Sequence, residues 1–365
     1  MDLPILTSPT TNKPWLNIYA NSVTANTLTA VTSLVVPSLT VSGNEEIKGD
    51  LLVRGVAGSS NYNGGLLAMS SNTQTVATAG GSASQLTFNP TLNKLTCSGV
   101  AGAGLCFDTI NGSTLVALVT PVANLGIEYS PNLNIYTAID VQGTAVYTSA
   151  TATAGSFVLQ APAASAFEVF SIKWISQFSR FYTGAADVAN RVYQSTDGIT
   201  WTKQVSTRIP YDFAYSPLLS RLVSVGNNGP QYTDDGKTWI VGNTAQAMSS
   251  VCWSDYWKCF VASPRGAPLT NIYRSVDGIN WTSTTGFPGF AGNLRSITWN
   301  QDFMIFTATG DNDVLFVSQE GLLFKQVQVV ATAMASYVSK WIDKWGLFFS
   351  AGIGGFVRVS PKRFV

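Results

Sequence analysis

The feature that most constrains this chain is an aromatic-rich unit that recurs along the C-terminal two thirds of its length. Each unit opens on an aromatic residue close to a small polar residue, and successive openings lie 38 to 46 residues apart. A period of about 42 residues, with room for four short strands, is typical of a β-propeller, whose blades bury their faces only against one another. The openings are Tyr129, Trp174, Tyr215, Trp253, Trp299 and Trp341.

We therefore predict an all-β fold in which residues 112–365 form a six-bladed β-propeller. The last unit has only five residues after Ser360, too few for the outer strand that the other units possess. Residues 113–122, STLVALVTPV, lie just before the first unit. We expect them to complete the last blade beside residues 335–360, because an open ring would leave two unpaired edges.

The composition agrees with short strands joined by uncharged turns. Charged residues make up 11% of the chain, and Lys+Arg 21 against Asp+Glu 20 gives a net charge of +1. This balance favours neither nucleic acid nor an anionic membrane as a partner. Histidine is absent, which excludes His-dependent triads and zinc-hydrolase sites. We predict no cofactor and no metal.

The N-terminal sequence and the cysteines bear on the compartment. MDLPILTSPTTNKPW has no basic stretch followed by a long apolar one, and no apolar run approaches about 18 residues. We expect a protein made in a cytoplasm, without Sec-type secretion or membrane insertion. Cys252 and Cys259 flank a turn between two strands, where symmetric pairing about Asp255-Tyr256 would place them opposite each other. We predict reduced thiols in close contact.

The first 111 residues follow a different pattern, rich in Thr, Ser, Asn, Ala and Gly. Within them Val41-x-Gly43, Ile47-x-Gly49 and Val53-x-Gly55 recur every six residues. This spacing suits short strands stacked in a β-helix or an intertwined shaft, although an irregular β-rich arm is the alternative. Further on, LTFNPTLNKLTCSG (86–99) predicts a strand, a turn and a strand. We assign residues 1–111 to an extended or shaft-like β arm for oligomerisation or anchoring.

A seven-residue motif, S-x-D-G-x-x-W, marks one turn in each of several units. It reads STDGITW at 195–201, TDDGKTW at 233–239, SVDGINW at 275–281 and SQEGLLF at 318–324. The carboxylate can accept backbone N–H bonds across a hairpin turn, the glycine permits a positive φ, and the Trp ring can lie between sheets. We assign structural roles to Ser195, Asp197, Gly198, Trp201, Asp235, Gly236, Trp239, Ser275, Asp277, Gly278, Trp281, Glu320 and Gly321.

These motifs resemble the repeats of Asp-box (BNR-repeat) propellers, in which the boxes lie on the outer rim, away from the central site. The resemblance implies that the motif residues are not catalytic. Arg208-Ile209-Pro210 is similar to the Arg-Ile-Pro core of sialidases. Thr207, however, takes the aromatic position before it, and the tripeptide follows the first clear motif. We interpret it as an interblade linker and predict that the protein is not an enzyme.

Two other groups of residues are open to a binding interpretation. Trp253, Trp257, Trp299, Trp341 and Trp345 could form a platform for a sugar, although repeat-equivalent aromatics favour an interblade core. Asp311-Asn312-Asp313 could offer oxygen ligands to Ca²⁺, although this sequence is ordinary for a polar turn.

The arm resembles segments of tail-fibre and spike proteins from viruses with large double-stranded DNA genomes, over about residues 20 to 100. The resemblance implies a non-enzymatic structural or appendage protein of a virion, with the propeller as an interaction or host-attachment head. The expected partners are other virion proteins, a host glycan or surface receptor, and two further copies of the chain, wound together through the arm as a homotrimer. The alternatives are a glycan-processing hydrolase of sialidase-like fold and a cellular assembly factor with an Asp-box propeller.

Overall fold

The computed structural model describes residues 18–19, 34–35, 85–98, 105–109, 116–119, 124–140, 145–153, 155–162, 168–186, 191–206, 208–266, 269–328, 335–352 and 357–359. The chain divides into two compact units, residues 1–54 with Val365, and residues 55–364. In the first unit, β1 (Ile18–Tyr19) and β2 (Leu34–Val35) pair in parallel. Among the residues described, no helix is long and apolar enough to cross a membrane.

The second unit is a succession of antiparallel sheets. Its described residues form six sheets of four strands and one of three, each built from consecutive strands of the chain. We number these sheets as blades 1 to 7. Their strands are β3 (Leu86–Asn89), β4 (Lys94–Cys97), β5 (Leu105–Thr109) and β6 (Val116–Val119) in blade 1; β7 (Asn124–Ser130), β8 (Ile135–Asp140), β9 (Ala145–Ser149) and β10 (Val158–Pro162) in blade 2; β11 (Glu168–Ile175), β12 (Arg180–Ala186), β13 (Arg191–Ser195) and β14 (Thr202–Val205) in blade 3; β15 (Ile209–Ser216), β16 (Arg221–Asn227), β17 (Gln231–Thr233) and β18 (Ile240–Val241) in blade 4; β19 (Met248–Ser254), β20 (Cys259–Pro264), β21 (Asn271–Ser275) and β22 (Thr282–Thr285) in blade 5; β23 (Leu294–Asn300), β24 (Ile305–Gly310), β25 (Leu315–Ser318) and β26 (Lys325–Gln328) in blade 6; β27 (Ser336–Ile342), β28 (Leu347–Gly352) and β29 (Val357–Val359) in blade 7.

The blades form a closed ring around their first strands. The first strand of each blade contacts the first strand of the next, and β27 of blade 7 contacts β3 of blade 1. At this seam the rings of Phe88 and Trp345 meet edge to face at 5.1 Å, and Trp345 Nε1 donates to Asn93 Oδ1 at 2.9 Å. Buried aliphatic and aromatic side chains from both blades pack behind them. The ring therefore closes by side-chain packing between its first and last blades.

The prediction of an all-β propeller is confirmed, but the described residues form seven blades and not six. The prediction for residues 113–122 is wrong, because Val116–Val119 pairs with β5 and completes blade 1 instead of the last blade. The boundary between residues 111 and 112 is wrong for the same reason, since it cuts through blade 1. The hexad stretch, residues 41–55, lies outside the described residues.

Blade 1 has the same kind of turn between its first and second strands as the other blades. In every blade the last residue of the turn between strands one and two has a positive φ, between 48° and 60°. Asn and Gly adopt this conformation readily, so Asn89-Pro-Thr-Leu-Asn93 and Ser130-Pro-Asn-Leu-Asn134 form equivalent turns. The positive-φ residues are Asn93, Asn134, Ser179, Ser220, Lys258, Met304 and Gly346.

Candidate binding site at the axial channel

Seven equivalent positions on the first strands define one level of the central channel. Each lies two residues before the last residue that pairs with the second strand of its blade. We call this set the channel layer. Its members, in blade order, are Thr87, Glu128, Lys173, Ala214, Cys252, Thr298 and Lys340.

Three members of the channel layer are charged and partly reached by solvent, although they lie at the centre of the ring, whereas Thr87 and Ala214 are buried. The Lys173 side chain is 39% exposed, and Glu128 and Lys340 are half-buried. Side chains in this position are largely enclosed by neighbouring strands, so their charges are partly stripped of water. Charged groups in such a setting are candidates for a functional site.

Asp212 lies on β15, two residues before Ala214 of the channel layer, and both of its carboxylate oxygens have partners. Its carboxylate lies 3.4 Å from Lys173 Nζ and accepts from Ser250 Oγ at 2.7 Å and from the Val251 amide at 3.1 Å. Asp212 is the largest cause of a raised pKa at Lys173. The bonds to Ser250 and Val251 join blades 4 and 5, so this carboxylate also holds two first strands together.

Hydrogen bonds between a side chain of one first strand and a backbone amide of the next also occur further around the ring. Ser250 Oγ accepts from the Ile297 amide of blade 6 at 3.1 Å, and Ser296 Oγ accepts from the Ser339 amide of blade 7 at 3.2 Å. Short hydroxyl side chains thus satisfy backbone groups that neighbouring first strands cannot pair with each other.

Glu128 and Lys340 have hydrogen bonds to uncharged groups. Glu128 Oε2 accepts from Gln85 Nε2 at 3.3 Å, and the same carboxylate accepts from the Thr87 hydroxyl. Lys340 Nζ donates to the Leu86 carbonyl at 3.5 Å. Among the residues that the structure describes, neither has an oppositely charged group within 4.0 Å. Burial raises the pKa of Glu128, against the attraction of Lys340 and Lys173. Burial lowers the pKa of Lys340, against the attraction of Glu128.

The channel opens among aromatic and arginine side chains at the start of the first strands. The register of β11, β15, β23 and β27 shifts near this end, and such bulges redirect side chains. Phe170 and Tyr211 meet edge to face at 4.5 Å, and the Arg265 guanidinium lies 4.1 Å from the Tyr211 ring centre. Arg295 lies 5.2 Å from the Tyr337 ring centre. We call these five residues the mouth arc.

The motif turns lie at the opposite end of each blade from the mouth arc, because third strands end where first strands end. In blade 3, Ser195 Oγ donates to Asp197 Oδ1 at 2.9 Å, and the same carboxylate oxygen accepts from the Ile199 and Thr200 amides at 2.8 and 2.7 Å. The turns at Asp235 and Asp277 make the same pair of carboxylate-to-amide bonds. In the fourth turn, which carries Glu320, the Gly321 amide donates to Ser318 Oγ at 3.0 Å.

Each turn packs on the preceding blade. Gly278 has a φ of 73°, and a Cβ there would lie 2.6 Å from Val223 Cγ2 of blade 4. The Gly236 carbonyl accepts from the Tyr182 hydroxyl of blade 3 at 3.0 Å, and Gly198 approaches Thr137 of blade 2. Trp201, Trp239 and Trp281 pack into the apolar clusters between successive blades. The structure thus places the motif residues in blade-to-blade contacts, away from the channel.

The other sequence-level candidates also lie away from the channel layer. The Arg208 guanidinium donates to the Thr244 carbonyl at 2.9 Å, and the residue is 9% exposed. Trp253, Trp299 and Trp341 pack against phenylalanine rings at 4.7, 4.6 and 5.0 Å. Asp311 accepts from the Asn293 amide and pairs with Arg295 at 3.1 Å. In the described part of the chain, no cluster of His, Cys, Asp or Glu could hold a metal ion.

Cys252 and Cys259 are free thiols. The pairing of the two strands differs from the predicted one, because Cys259 lies opposite Ser254 and Cys252 lies opposite Val261. The turn is centred one residue further along than Asp255-Tyr256. Cys252 thereby occupies a channel-layer position, and it packs against the same apolar cluster that contains Cys259.

The sequence pattern singled out none of Glu128, Lys173 and Lys340. A signal was nevertheless present, since each charge directly precedes the aromatic residue that opens its unit. A charge on the first strand of a blade stands out once that strand is known to line the axis.

Comparisons with known proteins support the fold alone. No family model matches the chain, and no curated protein matches it. A structure titled "YCF48 bound to D1 peptide" superposes with a TM-score of 0.61 at 12% identity, covering 79% of this chain and 94% of that one. YCF48 from Cyanidioschyzon merolae gives 0.60 at 11% identity, covering 80% and 99%. The extracellular domain of the putative one-component system BT4673 from B. thetaiotaomicron gives 0.59 at 10% identity, covering 79% and 39%.

Proposed function

We propose that this protein is a non-enzymatic appendage protein of a virus particle, with the propeller as its binding head. The observation that carries the binding role is the mouth arc, which extends over blades 3 to 7 at one face of the ring. Aromatic rings and arginines are the residues that most often dominate binding energy at protein interfaces.

Arg265 of the mouth arc has guanidinium N–H donors that a binding partner could use. Arg265 is exposed, and its guanidinium stacks on Tyr211 with no hydrogen bond to a described residue. Stacking fixes the plane of a guanidinium while its N–H groups point outward, which suits recognition of planar acceptors. Arg295, by contrast, is tied to Asp311, so Arg265 is the arginine that we expect to contact a partner.

The virion assignment rests on the hexad stretch at residues 41–55. The hairpin at residues 86–97, which contributed to the same resemblance, belongs to blade 1. We retain the homotrimer through the N-terminal segment as part of the proposal, with the host partner a glycan or a surface receptor. Mass spectrometry of purified virions tests the assignment, because a structural protein must be present in a constant copy number per particle.

The binding role has its own test. Binding of the full chain to host cells is expected to fall at least about tenfold on Arg265→Ala, because hydrogen bonds to a charged group are strong. Lys237→Ala, on an exposed turn at the other face, is the matched control. Equal binding by the two variants would contradict a head at the mouth arc.

A second candidate is a peptide-binding propeller of cellular origin. It is favoured by the fold shared with YCF48, whose title names a bound peptide. Side-by-side screening on a peptide array and a glycan array separates it from a glycan-binding head. A fluorogenic sialoside assay tests the remaining alternative, a hydrolase. The location of Arg208 off the axis supports the expectation that turnover is absent.

A further inference from the structure

The channel layer is uneven around the ring. Blades 7, 2 and 3 contribute the long charged side chains of Lys340, Glu128 and Lys173, whereas blades 4, 5 and 6 contribute only small ones. The charged groups therefore lie on one side of the ring and small side chains on the other, and a few polar groups beside apolar side chains are the usual lining of a small-molecule site. The small members are Ala214, Cys252 and Thr298.

Two opposite charges in the channel layer have no ion-pair partner among the described residues. Lys173 lies 3.4 Å from Asp212, whereas Glu128 and Lys340 have no oppositely charged group of the described chain within 4.0 Å. Among these same residues, the Glu128 carboxylate accepts only from the uncharged side chains of Gln85 and Thr87, and Lys340 Nζ donates to the Leu86 carbonyl at 3.5 Å. Enclosed charges in proteins are normally paired and fully hydrogen-bonded. A ligand of a single charge would satisfy one of the two groups and leave the other as it is.

We propose that the axial channel binds a small zwitterion of the α-amino acid type between Glu128 and Lys340. The ligand carboxylate contacts the Lys340 ammonium, and the ligand ammonium contacts the Glu128 carboxylate. The ligand side chain extends toward Ala214, Cys252 and Thr298. The pKa directions agree, since a raised pKa at Glu128 and a lowered one at Lys340 both indicate charges that the protein itself compensates poorly.

This site is separate from the mouth arc, and a ligand bound there would connect two parts of the ring. Glu128 belongs to blade 2 and Lys340 to blade 7, and blade 1 lies between them at the seam of the ring. A ligand that contacts both residues links the two sides of this seam. Binding to the folded state alone raises the unfolding temperature.

The experiment is calorimetric titration of the full chain with each common amino acid, alongside acetate and methylammonium as single-charge probes. We expect one or a few amino acids to bind, and both probes to bind at least about tenfold more weakly, because each lacks one charge-assisted contact. The same amino acids are expected to raise the unfolding temperature of the wild-type protein, and acetate is not. Absence of amino-acid binding at millimolar concentration, or equal binding of acetate, overturns the proposal.

Variants locate the site. Glu128→Gln and Lys340→Met keep the shape of the side chains and are expected to weaken amino-acid binding at least about tenfold. Glu320→Gln and Lys237→Met, on exposed turns, are matched controls that should bind like the wild type. Unchanged affinity in the two channel variants overturns the proposal. The thermal shift of the wild-type protein keeps the test decisive if a channel variant fails to fold.

Discussion

The two ends of a blade differ in how their polar groups are satisfied. At the motif turns, Asp197, Asp235 and Asp277 accept the same pair of amide bonds, so the turns of blades 3, 4 and 5 are copies of one another. In the channel layer no two adjacent blades carry the same residue, and Glu128 and Lys340 have no oppositely charged group within 4.0 Å among the described residues. The repeated residues hold blades together, whereas the channel layer differs from blade to blade.

The largest expected effect concerns the ring as a whole. A fragment of residues 112–365 keeps the motif turns of blades 3 to 6 but lacks β3, β4 and β5 of blade 1. We expect it to lose cooperative unfolding and aggregate, because blades 2 and 7 would each expose an apolar face. Circular dichroism and calorimetric melting against a fragment of residues 80–365, which keeps all seven blades, provide the measurement. A stable, monomeric 112–365 fragment would refute closure through blade 1.

The next effect separates conformational strain from steric contact at the motif turns. Gly278→Ala is expected to cost about 2–4 kcal/mol, since it combines a left-handed φ with a Cβ close to Val223. Gly289→Ala is the matched control, because its φ is 79° but nothing lies within 4 Å of a Cβ. It should cost only the strain, about 1–2 kcal/mol. Urea unfolding of both variants gives the difference, and equal costs would mean that packing on the preceding blade is unimportant.

The motif turns should also make the protein sensitive to acid. Hydrogen bonds to the carboxylates, mainly from backbone amides, outweigh burial, lowering the pKa of Asp277 to about 2 and that of Asp197 below its usual value. A carboxyl with a lowered folded-state pKa stabilises the fold above its unfolded pKa of 3.8 and loses this contribution as pH falls toward the folded value. We expect the free energy of unfolding to fall between about pH 4 and pH 2.

Asp277→Asn keeps an acceptor oxygen but removes the titration, so it should flatten part of this pH dependence. Urea unfolding at a series of pH values compares the variant with Glu320→Gln, which removes an exposed carboxyl from the fourth motif turn. Parallel curves for wild type and Asp277→Asn would exclude the turn as a source of acid sensitivity.

The smallest effect is expected in the channel. Because burial raises the pKa of Glu128, its charged form is disfavoured in the folded state, and the fold is favoured by protonation as pH falls. Glu128→Gln should therefore raise the unfolding temperature slightly at neutral pH without ligand. Scanning calorimetry at pH 7 measures this. A clear loss of stability would show that Lys340 and Lys173 already compensate Glu128, which contradicts the contrast between the two ends.

Much of this fold could be predicted from local patterns in the sequence. The 38-to-46-residue period predicted a propeller, and S-x-D-G-x-x-W predicted its turns, because both depend on residues close together in the chain. The turn Asn89-Pro-Thr-Leu-Asn93 could also have been matched to Ser130-Pro-Asn-Leu-Asn134. The sequence pattern did not reveal blade 1, because Phe88 stands where the other units open on Tyr or Trp. Its outer strand, Val116–Val119, was instead predicted to complete the last blade.

The sequence by itself determined the class of fold, the positions of the motif turns along the chain, and the absence of histidine. Only the tertiary structure decided how many blades close the ring, which blades meet at the seam, and which charges lie on either side of it. Closure depends on the twist and packing of all blades together. The electrostatic attraction between Glu128 and Lys340, which are far apart in the chain, depends on that closure, and no local period encodes it.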